Sequence, residues 1–105
     1  MAHRVIKVAK GKVTSIRASS VMIFRNTRRG GRSFFQVKHP DGREKPCLQI
    51  EEAVSFFRDD DLAERIIEAF KMEMPTPRAL RQLFPGFMVT FEKEGSQRLR
   101  SRPRR

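Results

Sequence analysis

Arginines at positions 25, 28, 29 and 32, with two glycines between Arg29 and Arg32, are the densest run of chemistry in the first half of this 105-residue chain. A guanidinium keeps its charge at any physiological pH and offers a planar fork of donors. That suits phosphate oxygens and guanine edges better than acid–base catalysis. Gly30 and Gly31 allow positive φ and loosen the loop that carries Arg28, Arg29 and Arg32. Downstream, Gln36, Lys38, Arg43, Lys45 and Gln49 add amides and cations on what the pattern predicts to be strands and their connections. A second run follows far away, at Arg98, Arg100, Arg102, Arg104 and Arg105. It has too little apolar content to pack, so it is expected to be a disordered tail that neutralises phosphates without reading bases. A passive solubilising tail or a sorting signal is the plainer reading of the same residues.

The charge balance extends this picture. The chain carries 23 Lys and Arg against 12 Asp and Glu, a formal net charge of +11. Twelve of the cations and only two of the acids fall in residues 1–45, whereas residues 46–95 hold six cations and ten acids. Basic charge gathered on one part of a chain is the footprint of a polyanion binder, because each neutralised phosphate releases condensed counterions. An acidic protein surface would satisfy the same charge. Nucleic acid is the favoured partner, DNA ahead of RNA.

Other chemistries lack their residues. His3, His39 and Cys47 have no metal-ligand spacing, so no metal site and no cofactor is expected. Gly31-Arg32-Ser33 has arginine where a phosphate-cradling loop needs lysine, and Asn26 stands where its first glycine should be. An enzyme reading survives only as a small basic ribonuclease of toxin type built on His39, Arg43 and Glu44, but neighbours on one tight turn seldom converge on a phosphate. The chain is therefore expected to be non-enzymatic. Cys47 is the lone cysteine, which excludes an intrachain disulfide. With no apolar run of bilayer length and no signal peptide, the expected setting is the cytoplasm, at the nucleoid if the source is bacterial, with no membrane partner.

The elements that must position these residues are legible as periodicity. Length and patterning predict one α+β domain over residues 1–95 and an arginine-rich tail over 96–105. Val5-Ile6-Lys7-Val8 and Val13-Thr14-Ser15-Ile16, separated by Lys10-Gly11-Lys12, form a hairpin in that scheme, with Lys7, Lys10, Lys12 and Arg17 on or beside an edge of the sheet, where they guard that edge or contact phosphates. A meander follows: Ser20–Asn26, Ser33–His39 and Glu44–Ile50, with Pro40-Asp41-Gly42 as its tight turn. Period-two alternation puts Phe35 and Val37 inside and Phe34, Gln36 and Lys38 outside. Continued through the third strand, it puts Leu48 and Ile50 inside, and Lys45, Cys47 and Gln49 outside. Val21/Ile23 and Met22/Phe24 are both apolar pairs, so the first strand of the meander has no unique inner face and is expected to be central or covered.

Helices then take over. Ile50, Ala53, Val54 and Phe57 make one helical stripe, and Leu62, Ile66, Ala69 and Phe70 another. Asp61 and Glu64 read as an acidic capping box for the second helix. Thr76-Pro77 starts a third, lined by Ala79, Leu80, Leu83 and Phe84 and stopped by Pro85-Gly86. Phe87, Val89 and Phe91 alternate as a last strand that returns to an edge of the sheet.

From Arg28 to Arg58 the pattern R-G-G-R-S-F-F-Q-V-K-H-P-D-G-R, a strand, and I-E-E-A-V-S-F-F resembles a three-stranded-sheet-plus-helix DNA-binding domain. Both the ethylene-response-factor type and the arm-binding domain of phage-type tyrosine integrases follow this plan. The resemblance implies a sheet that meets a DNA groove, with Gln36, Lys38, Lys45, Gln49, Arg28, Arg29 and Arg32 as its contacts. It also suits a regulator or an accessory factor of a mobile element or phage. The middle strand departs from the family in carrying Phe34-Phe35 where an indole or phenol is usual.

Overall fold

Two consecutive left-handed residues begin the fold. Lys10 (φ 55°) and Gly11 (φ 77°) form a two-residue turn of the kind whose twist matches that of paired strands. It joins β1 (Arg4–Ala9) to β2 (Lys12–Ala18) as an antiparallel hairpin. The computed structural model describes residues 4–18, 20–27 and 33–92. The register shifts between Lys7 and Val8, leaving Thr14 as an extra residue on β2. This bulge lets Val13 and Ile16, three apart, both face the core.

The chain then runs on as a meander through β3 (Val21–Thr27), β4 (Ser33–Lys38) and β5 (Glu44–Cys47). At the β4–β5 turn the His39 N–H donates to the Arg43 carbonyl and the Gly42 N–H to that of His39. Gly42 takes φ 92° there, a conformation glycine adopts without a Cβ penalty. From Leu48 to Phe87 the chain is helical or irregular, and it ends in β6 (Met88–Glu92), parallel to β1. The sheet order is β5-β4-β3-β2-β1-β6. The class is α+β, a six-stranded and mostly antiparallel sheet with three short helices.

Those helices are α1 (Ile50–Ala53, followed by a 3-10 turn over Val54–Phe56), α2 (Asp60–Lys71) and α3 (Pro77–Leu83). The α2 cap differs from the sequence expectation. Asp59, in extended conformation, accepts from the Leu62 N–H, so the helix begins earlier than a box of Asp61 and Glu64 would set it. Asp61 instead pairs with Arg65 one turn on, at 3.1 Å. Thr76 caps α3 as expected, accepting from the Ala79 N–H, with Pro77 in the first turn.

All three helices lie on one face of the sheet. The register carries a buried row across it: Ile6 opposite Ile16, Ile16 opposite Ile23, and Ile23 opposite Val37, all sealed from solvent. Ile66, Ala69, Phe70, Leu80 and Phe84 close over that row. Each fully buried aliphatic or aromatic side chain contributes about 1.5–3 kcal/mol relative to exposure. The β1–β2 turn is held to this layer by the Met74 N–H, which donates to the Gly11 carbonyl at 3.0 Å.

The third strand of the meander inverts the expected faces. Cys47 pairs with Phe35 and is buried, 3% exposed, while Leu48 is 68% exposed. β5 stops at Cys47, and the chain bends through Leu48 and Gln49 before α1 starts at Ile50. Alternation holds only inside a strand, so Ile50 cannot set the parity of Cys47 across a bend. Burial also pushes the Cys47 thiol upward, with Glu52 adding to the shift and Lys45 opposing it.

A concrete expectation follows from that inversion. At pH 8 the native protein should react with a thiol reagent at the rate of structural opening, and at full speed only once denatured, because thiolate is scarce and enclosed. Equal modification rates for native and unfolded protein would return Cys47 to the surface. In the same core Phe35→Ala should cost about 3 kcal/mol, since its ring meets Phe70 edge-on at 5.4 Å; thermal or denaturant unfolding measures the loss.

Candidate nucleic-acid interface

With the helices on one side, strand pairing fixes what the other side presents. The residues out of phase with the core are Val5, Lys7 and Ala9 on β1, Lys12, Ser15 and Arg17 on β2, Met22, Phe24 and Asn26 on β3, and Phe34, Gln36 and Lys38 on β4. Four of these are cations and none is an acid. Carboxylates of this parity sit only on the flanking strands, Glu44 on β5 and Glu92 on β6. Lys7, Lys12, Arg17 and Lys38 are exposed, while Met22, Phe24, Phe34 and Gln36 are half-buried. Among the described residues no helix packs on this side.

A chain of side-chain hydrogen bonds crosses three of its strands. The Asn26 amide donates to Gln36 Oε1 at 2.6 Å, and Gln36 Nε2 donates to Glu44 Oε1 at 2.7 Å. Gln36 is thus held in one orientation by partners on both sides. Lys38 lies in the next row, between Met22 and Glu44. Gln36 and Lys38 stand on the open face as expected.

The remaining expected contacts are dispersed. Arg25 faces the helices, in phase with Ile23. Its Nε donates to the Val13 carbonyl at 3.1 Å and its Nη2 to the Phe70 carbonyl at 2.6 Å. The guanidinium lies 5.5 Å from the ring centres of both Phe35 and Phe70. Phe70 belongs to the last turn of α2, where unpaired carbonyls and the helix dipole favour a cation. Burial lowers the Arg25 pKa, but its high starting value keeps the side chain charged. Arg25 therefore fastens α2 to the sheet rather than facing a ligand.

Lys45 also has inner parity, opposite Val37. Its ammonium extends over Phe56 at 5.2 Å from the ring centre, on the helix-side rim. Gln49 is exposed and precedes α1 without a side-chain cap. Arg43 is bound to Asp41 at 2.7 Å in the β4–β5 turn, and the Arg43 backbone N–H holds the Asp41 carboxyl below its ordinary range. The residues weighed for a ribonuclease have separate partners: His39 packs edge-on against Phe56, Arg43 binds Asp41, and Glu44 accepts from Gln36. Arg28, Arg29, Arg32 and the tail residues Arg98, Arg100, Arg102, Arg104 and Arg105 lie outside the described residues. No group of three His, Cys, Asp or Glu among the described residues could hold a metal ion, and no helix there is long and apolar enough to cross a membrane.

The sequence places Lys7, Lys12 and Arg17 on or beside a sheet edge, where guarding the edge and contacting phosphate are equal readings. The structure adds β6 outside β1, which makes β1 interior, and strand phase puts Lys7, Lys12 and Arg17 on the open face. Phe24 was undecided between faces. The apolar doublets of β3 hide its parity, and only pairing with Ile16 and Val37 shows that Ile23 is the inner residue.

Removing the Arg25 side chain separates its role from that of a ligand contact. Arg25→Ala should cost about 2–3 kcal/mol of unfolding free energy, through two charge-assisted bonds to part-buried carbonyls. It should leave the salt dependence of nucleic-acid binding unchanged under conditions where the variant is folded. A shallower salt slope with unaltered stability would put Arg25 in the interface. No family model, curated protein or solved structure matches this chain, so its function is argued from this geometry.

Proposed function

We propose that this chain is a non-enzymatic nucleic-acid-binding protein that takes its ligand on the open face of β1–β4. One observation carries the reading: four exposed cations and no carboxylate share that face with half-buried Phe24 and Phe34. A solvated sheet face needs no such segregation, and mixed charge is the ordinary way to keep one soluble. The exposed acids Glu51, Glu52, Asp59, Asp60, Asp61, Glu64, Glu68 and Glu73 are all in the helical segment. Arg58, Arg65, Lys71, Arg78 and Arg81 share that segment, which is therefore net acidic by three charges, while the open face carries cations alone. The arginines of 28–32 and 98–105 add eight further fixed charges by sequence, and in this proposal they strengthen phosphate binding.

The interface is tested by charge removal. Lys7→Ala, Arg17→Ala and Lys38→Ala combined should change stability by less than about 1 kcal/mol, since all three side chains are exposed. If each meets a phosphate, the slope of log K against log salt should fall in magnitude by about 2 to 3. Fluorescence anisotropy with labelled oligonucleotides across a salt series measures it. Wild-type affinity and slope in the triple variant would remove the open face from the interface.

A further inference from the structure

We propose that the ligand of the open face is single-stranded, with an unstacked base lying on Phe24; this rests on the nucleic-acid reading above and narrows it. Phe24 is in β3, an interior strand, directly between Ser15 on β2 and Gln36 on β4. Its ring is half-buried and takes no part in the core cluster under the helices. Phe34 is one diagonal step away on the same face, opposite Asn26. A large ring at the centre of a cationic sheet, beside a small hydroxyl and an immobilised amide, is the layout of a stacking platform. Bases stack on it by their π-faces, the Gln36 and Asn26 amides lie at hydrogen-bonding distance from one another to receive base edges, and Lys7, Arg17 and Lys38 surround them for the phosphates.

Geometry disfavours a duplex on the same surface. Six strands at about 4.8 Å spacing make a sheet about 24 Å across, whereas the major groove is about 12 Å wide and admits a two-stranded ribbon. Within a duplex the base faces are already stacked, so Phe24 could gain nothing from them. In this proposal a strand laid across the sheet takes the place of the groove-inserted meander that the sequence resemblance implies.

The chain contains no Trp and no Tyr, so Phe24→Trp installs a single indole reporter at the point of contact. The full-length protein is titrated with an oligodeoxythymidylate of about 12 nucleotides, within the usual site size of such surfaces, and with a duplex of equal phosphate count. The wild type should bind the single strand more tightly at every salt concentration. Phe24→Leu keeps an apolar side chain but has no π-face. It should weaken single-strand binding by roughly 5- to 150-fold, the affinity equivalent of one lost stack, with the salt slope and duplex binding unchanged. Phe24→Trp should retain affinity, and its emission should be quenched as the oligonucleotide binds. Circular dichroism and thermal unfolding of both variants establish that they are folded.

Wild-type single-strand affinity in Phe24→Leu, with unquenched indole in Phe24→Trp, would overturn the stacking proposal. The nucleic-acid reading would still stand if the triple cation variant lost binding. A wild type that binds neither oligonucleotide, or from which polyglutamate displaces the single strand charge for charge, would overturn both and leave an acidic protein as the partner.

Discussion

The structure depends on one topological constraint: between the first strand and the last the described chain leaves the plane of the sheet only once. β1 to β5 follow each other as neighbours, and such connections stay at the ends of the strands. Among the described residues only the segment from Leu48 to Phe87 is long enough to cover a face, and it must cross from the β5 edge to the β6 edge to place β6 beside β1. One crossover covers one face. Every helix is therefore on the same side, and the sheet has a dry face and an open one.

That constraint orders the side chains by phase. On the dry side Ile6, Ile16, Ile23 and Val37 stack across four strands, and no charged residue there is fully buried among the described residues. Of the inward-facing arginines on these strands, Arg4 lies over the Phe87 ring, and Arg25 has carbonyls of β2 and α2 and two aromatic rings around it. It is an expensive group to desolvate, and the carbonyl at the end of α2 offsets part of that cost. Arg65 plays a related part between helices, donating to the Leu83 carbonyl while paired with Asp61. Arginine in this chain is thus divided between fastening helices and facing solvent, and charge alone does not distinguish the two uses.

This division explains how much was legible in the sequence. The α+β class, the hairpin, the meander, the Thr76-Pro77 helix start and the returning strand all follow from local signals: turn residues, period two, period 3.6. Lys10-Gly11 and Pro40-Asp41-Gly42 specify their turns with residues nearby. What local signals could not carry was phase across a bend or between doublets. By alternation from Ile50, Cys47 reads as outward, but β5 ends at Cys47 and Ile50 starts a helix; β3 offers two equal apolar faces. Arg25 looked like its loop neighbours because the partner that claims it, the Phe70 carbonyl, is 45 residues away. Lys7 reads as an edge residue because only β6, which follows all the helices, turns β1 into an interior strand.

The same phase relations set which side a polyanion can approach. The helical segment carries eight carboxylates against five cations, so it attracts a polyanion less than the open side, where Lys7, Lys12, Arg17 and Lys38 stand without a carboxylate among them. Such a two-sided field orients a ligand before contact and raises the fraction of productive encounters. Glu44 and Glu92 then bound the attractive strip to β1–β4, three strand spacings or about 14 Å. Glu44 has a second effect, since it holds Gln36, which in turn holds Asn26. An amide already fixed by neighbours loses little rotamer freedom on meeting a ligand, so less of the contact energy is lost to ordering it. In the proposed complex, charge brings the strand to the sheet and limits where it lies, and the rings and the fixed amides meet its bases there.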